Sequence, residues 1–166
     1  MSDGADGGTN SGADDAAGGG VDFDALSRRM MASGGAREDL DAIYGHTFAL
    51  PAWFFIARGE LPEVHPYVAS NAAVAEGRPM IRAFTDTDRL YRFAQENGLT
   101  DAAGSASILS IPTAGAVEYL EGFIEDGAYG LWFNSDNGSD GFFAPLQQLR
   151  PIRDHLARIG WAPAAG

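Results

Sequence analysis

The sequence predicts a mixed α+β domain: one sheet of about five to six strands, part parallel and part antiparallel, with helices packed against it. Three observations carry this. Amphipathic helical patterns alternate with short apolar runs through the middle of the chain, as in crossover units. Two apolar runs, Trp53–Arg58 and Pro79–Phe84, have strand length and stand behind Pro51 and the turn Ala75–Arg78. At the ends the order breaks down, with two helical segments first and two adjacent short strands near the finish, which points to antiparallel pairing.

The first twenty residues are Gly, Ala, Asp, Ser and Thr in low-complexity order. Such a segment buries too little apolar surface to offset its ordering entropy, so 1–20 reads as a disordered acidic tail. An N-terminal helical segment, 21–46, follows. In its first helix Phe23, Leu26 and Met30 recur on one face, with Asp22 and Asp24 in the first turn where the helix dipole favours acids, and Ser33-Gly34-Gly35 ends it. A second short helix spans 38–46, with Leu40, Ile43 and Tyr44 on one side.

The α/β domain proper occupies 47–160. Trp53–Arg58 is apolar throughout, the pattern of a strand buried on both faces. Glu60–Pro66 reads as loop, Tyr67–Ala73 as a weaker strand and Ala75–Arg78 as a turn. In the strand Pro79–Phe84, Met80, Arg82 and Phe84 share one face and Ile81 and Ala83 the other. Thr85–Asn97 is the clearest helix: Thr85 or Asp86 caps it, Leu90, Phe93 and Ala94 form the stripe, Asp88 and Arg92 make an i,i+4 pair, and Gly98 permits the left-handed stop. Ala106–Ile111 is a strand. Thr113–Asp126 is a helix with Val117, Leu120 and Ile124 inward. Tyr129–Phe133 and Phe142–Ala144 are short strands joined by the polar octet Asn134–Gly141. Leu146–Arg150 starts a last helical segment, which Pro151 breaks or restarts; Ile152, Leu156 and Ile159 continue the spacing to Gly160. Residues 161–166 read as a flexible C-terminus.

Composition bounds the function. Cysteine is absent, which removes disulfides, thiolate metal sites and thiol nucleophiles. All eleven basic residues are arginine against 23 acids, a net charge of −12. Six of those acids lie in residues 1–24, leaving about −6 for the rest. An acidic surface repels phosphate backbones and anionic lipid, so neither nucleic acid nor membrane is an expected partner. No signal peptide is visible, and the apolar run Phe48–Ala57 is half a membrane span, so a cytoplasmic location is expected.

The quoted stretches PAWFFIARGE, RPMIRAFTDTDRLYRFAQENG, SILSIPTAGAVEYLEGF and GLWFNSDNGSDGFFAPLQQL give the chain, from about 39 to 150, a pattern that resembles the SseB-like family of bacterial proteins, mostly of unknown function. In that family an apolar strand is followed by a second strand ending in Phe-Thr/Ser and a helix that opens with an acid, here Phe84-Thr85-Asp86-Thr87-Asp88. A later strand opens a loop with Asn-Pro-Gly, where this chain has Asn134-Ser135-Asp136. The resemblance implies the fold and a bacterial cytoplasmic setting. It carries over no catalytic residues.

Asp136-x-Gly138-x-Asp140-Gly141 looks like the start of a calcium loop, but Gly138 falls at the third position and Gln147 at the twelfth, where oxygen ligands and a bidentate glutamate belong. Asn134, Asp136 and Asp140 stay as weak candidates for binding a cation, against the plainer reading of a polar hairpin loop. His46, His65 and His155 are isolated, His65 in a loop and His155 on the exposed side of the last helix, so no metal site and no cofactor are expected. Thr113 opens a helix after a strand, a place where an anion binds, although a simple helix cap also accounts for it. Glu118, Glu121 and Glu125 form an acidic stripe, either solvated or set against arginines such as Arg89 and Arg92 of a second copy. Arg82 means little if its face points outward; if buried, it needs a carboxylate or a ligand anion.

With no catalytic constellation in the sequence, three functions follow in order: a non-enzymatic interaction or regulatory module that binds a protein partner or self-associates; a small-molecule or anion-binding domain using Arg82, Thr113 and the 134–141 loop; and an enzyme built from scattered polar residues. No specific small molecule is identifiable.

Overall fold

A computed structural model describes residues 20–163. The expected tail (1–20) lies outside the described residues except for Gly20, as do 164–166 of the expected flexible end. The elements run α1 (Phe23–Ala32), α2 (Arg37–Phe48), β1 (Ala52–Arg58), β2 (His65–Pro66), β3 (Val68–Ala69), β4 (Met80–Phe84), α3 (Thr87–Glu96), β5 (Ile108–Pro112), α4 (Thr113–Glu121), β6 (Gly130–Phe133), β7 (Phe142–Pro145) and α5 (Leu146–Arg158). The fold is α+β, a mixed seven-stranded sheet with helices on both faces.

β1 is antiparallel to β4 on one side and to β5 on the other; β4 and β6 are parallel, and β7 runs antiparallel to β6 at the sheet edge. The weak strand expected at Tyr67–Ala73 is instead two two-residue strands, β2 and β3, split at Tyr67. The reason is the divergence of β1 from β4. Tyr67 bridges them, its N–H donating to Ile56 O and its carbonyl accepting from Arg82 N–H.

Alternation assigns the two faces. Trp53, Phe55, Ile81, Ala83, Leu131, Phe133, Phe142 and Ala144 point to one side, under α1, α2, α4 and α5, and form the main core. Ile56 and Phe84 point to the other, where Leu90, Phe93 and Ala94 of α3 cover them. β1 and β4 are thus covered on both faces, which explains the apolar run Trp53–Ala57 and leaves Arg82 as a charged residue inside β4.

Two helix ends differ from expectation. Thr113 is not the cap of α4 but its first helical residue, behind Pro112, and its Oγ1 is buried without a partner. α5 is one helix through Pro151, with Leu146, Leu149 and Leu156 buried. Proline costs the Gln147 carbonyl its helical donor. Gln147 is exposed, and the buried face of Leu146, Leu149 and Leu156 holds the helix together. Asp86, rather than Thr85, caps α3 by accepting from Arg89 N–H at 2.9 Å. Trp161 packs edge-on against His46, with centroids 5.0 Å apart, and covers Gly45.

Candidate functional site

The 134–141 loop spends its polar groups inside the fold. Asn134 is fully buried and left-handed (φ 57°). Its Oδ1 accepts from Thr85 N–H at 3.1 Å and Thr85 Oγ1 at 3.2 Å, tying β6 to the end of β4. The Asp136 side chain is fully buried and its Oδ2 meets Arg92 at 3.0 Å and Arg89 at 3.3 Å. Arg92 therefore pairs across the fold with Asp136 and not with Asp88. Asp140 holds Arg28 of α1 at 2.8 Å. Asn137 donates to Asp24 and Asp140, and Arg89 closes the ring with Asp24 at 2.9 Å. The loop is a clasp between α1 and α3.

Burial pushes the Asp136 carboxyl up, against the pull of Arg89 and Arg92. Burial also acts to raise Asp24, but its bond to Arg89, together with Asn137 and Arg28, holds it below the ordinary range. A cation at this loop would compete with three guanidinium groups for these acids. Among the described residues no three His, Asp or Glu side chains converge as metal ligands. The acidic stripe is also used within the chain. Glu118 meets Arg153 at 2.9 Å and Glu121 meets Arg150 at 2.7 Å, so these two acids strap α4 to α5 within the chain, while Glu125 has no ion pair among the described residues.

Arg82 is buried, 6% exposed, with no carboxylate in ion-pair range among the described residues. Its guanidinium lies 4.1 Å from the Trp132 ring centroid and 5.8 Å from that of Phe93, and Nη2 donates to Ala69 O at 3.3 Å. Arg82, Thr113, Asn134, Asp136 and Asp140 do not form one site. No hydrogen bond or ion pair joins any two of them, and Arg82 faces α3 from mid-strand.

A groove of about 570 Å³ lies elsewhere. β7 forms its floor, and α2 and α5 its walls. Leu40, Asp41 and Tyr44 come from α2; Gln148, Pro151, Ile152 and His155 come from α5 at helical spacing. The Tyr44 hydroxyl donates to Phe143 O at 2.7 Å, covering one carbonyl of the sheet edge, and burial pushes its ionisation up.

His155, expected on the exposed side, is half-buried here. Its Nε2 stands 3.0 Å from Asp41 Oδ1 and its Nδ1 3.2 Å from Arg158 Nη2. Guanidinium has no acceptor, so Nδ1 accepts and Nε2–H donates to Asp41. Both ring nitrogens are engaged, and the pair braces the groove. Sequence reading missed this groove because Asp41 and His155 are 114 residues apart; only the helical spacing of Leu40–Tyr44 and Gln148–Ile152–His155 hinted at two facing walls.

These features define an α+β domain with an open, mostly apolar groove at a sheet edge. Comparisons with family models, curated proteins and solved structures find no match. No helix among the described residues is long and apolar enough to cross a membrane.

Proposed function

We propose that this chain is a non-enzymatic protein-interaction or regulatory module of the SseB-like kind, at work in the bacterial cytoplasm, whose α2–α5 groove takes a short segment of a partner. The observation that carries the reading is the groove itself. It has an apolar floor and walls (Leu40, Ala144, Pro145, Ile152), and its polar groups sit at the rim or are already paired. Apolar centre and polar rim are the anatomy of a recognition surface. The net charge of −12 favours a partner segment with an apolar anchor flanked by basic residues.

The test is panning of a random peptide library against the folded protein and against Gln148→Trp, which fills the groove from an exposed position. Apolar-basic peptides enriched on the wild type and lost on Gln148→Trp support the reading. No enrichment, or equal enrichment on both, overturns it. Light scattering of the free protein separates a second copy from a foreign partner as the occupant.

A further inference from the structure

A second site lies at the β7 edge of the sheet, where the face that carries Arg82 meets the end of α1. The chain carries 23 acids and 11 arginines, yet its one buried arginine has no acid beside it. A buried charge left without a counter-charge costs several kcal/mol, so such groups are normally paired. Of the donors on Arg82, Nη2 reaches Ala69 O. Nε is buried with no acceptor, while Nη1, which also meets none among the described residues, is open to solvent. Two aromatic faces hold the ion in place without neutralising it.

Trp132, the ring under Arg82, also lines a groove of about 340 Å³ with Met30, Val74, Phe142 and Phe143. This groove is almost wholly apolar, and Phe143 is 40% exposed in it because α3 covers only the β1–β4 half of this face. Between groove and guanidinium runs the β3–β4 connection. Its hydrogen bonds from Asn71 to Arg78 are all internal among the described residues: Ala73 and Val74 bond to Asn71, Gly77 to Val74 and Arg78 to Ala75. Ala75 (φ 50°) and Glu76 (φ 58°) are left-handed without being glycine, a conformation that costs energy. Its one clear outside anchor is Arg78, stacked 3.5 Å over the Tyr129 ring at the far end, and Val74 is its one side chain at the groove.

We infer that Arg82 and the Trp132–Phe143 groove form a binding site for a small amphiphilic carboxylate, with the acid on Arg82 and the hydrocarbon part against Trp132 and Phe143. Displacement of Val74 joins the two halves. The carboxylate supplies the acceptor that Nε and Nη1 lack, and the chain covers the exposed Phe143 ring. Charge and apolar surface are both needed, so neither a short acid nor a neutral amphiphile suffices.

The experiment is calorimetric titration of the full chain with octanoate, acetate and octanol. Octanoate should bind at least about tenfold more tightly than acetate, since each buried methylene contributes about 0.8 kcal/mol. It should also bind at least about tenfold more tightly than octanol, as expected for a hydrogen bond to a charged group. Arg82→Met should lose the preference for octanoate over octanol, and Arg82→Lys should keep part of it. Should the Arg82 variants fail to fold, Val74→Asp on the exposed connection tests the same site: it sets a negative charge at the groove and should weaken octanoate by about tenfold. Octanoate no tighter than acetate or octanol, or unchanged in Arg82→Met and Val74→Asp, overturns the inference. Gln148→Trp should bind octanoate normally, so the two grooves fail or stand separately.

Discussion

Replacing Asn134 by alanine tests the clasp at its hinge. Asn134 is fully buried, and its Oδ1 is the acceptor for both the backbone N–H and the hydroxyl of Thr85. Truncation leaves a buried backbone donor unsatisfied, a loss of about 1–3 kcal/mol, with a smaller loss from the hydroxyl. The backbone at Asn134 is left-handed, φ 57° and ψ 41°, and alanine tolerates that region less well than asparagine, adding about 1 kcal/mol. The sum is about 2–4 kcal/mol, which for a chain of this size lowers Tm by roughly 4–16 °C. Asn134→Gly separates the two parts, because glycine loses the hydrogen bonds without the conformational penalty. Urea unfolding of the three proteins should rank wild type above Asn134→Gly above Asn134→Ala. An Asn134→Ala variant within about 0.5 kcal/mol of wild type, the range of an inconsequential surface change, would refute the reasoning.

Other consequences are as direct. Calcium should leave the melting temperature unchanged, because Arg28, Arg89 and Arg92 already occupy the loop acids; a rise that Asp136→Asn abolishes would say otherwise. A double-mutant cycle on Asp136 and Arg92 should give a coupling of about 0.5–1.5 kcal/mol, below a fully buried pair because Arg92 is half-exposed. Arg150 and Arg153 hold the Glu121 and Glu118 carboxyls below the ordinary range, with Glu118's own backbone N–H the largest cause for that residue. Their contribution to stability is therefore present above the unfolded-state value and lost as pH falls through the folded one, and carboxyl NMR titration should place both midpoints low. Gly45→Val should displace the Trp161 indole that covers Gly45, red-shifting its emission and costing about 1–3 kcal/mol through overpacking.

What the sequence made legible was local. The continuous apolar run at Trp53–Arg58 and the stripe Leu90–Phe93–Ala94 identify their elements because each pattern repeats within a few residues. The order of helices and strands then implies the mixed sheet. Tyr67–Ala73 was misread because a bend imposed by β1 and β4 has no local signature. Pro151 reads as a break or a restart because its local rule is strong, yet the buried face of α5 outweighs one lost hydrogen bond. The loop acids were open to a metal reading because their partners, Arg28, Arg89 and Arg92, lie 44 to 112 residues away. Arg82 was the informative exception: strand alternation reduced it to two cases, and burial without a carboxylate decided between them.

The central claim is that partners meet this protein at the α2–α5 groove while the polar loop serves only the fold. Amide chemical-shift mapping with a peptide enriched in panning tests it most directly. The account predicts shifts concentrated on Leu40, Asp41, Phe143, Gln148 and Ile152, with Asn134 to Asp140 unmoved. Shifts concentrated on Asp136 and Asp140, with the groove silent, would contradict it.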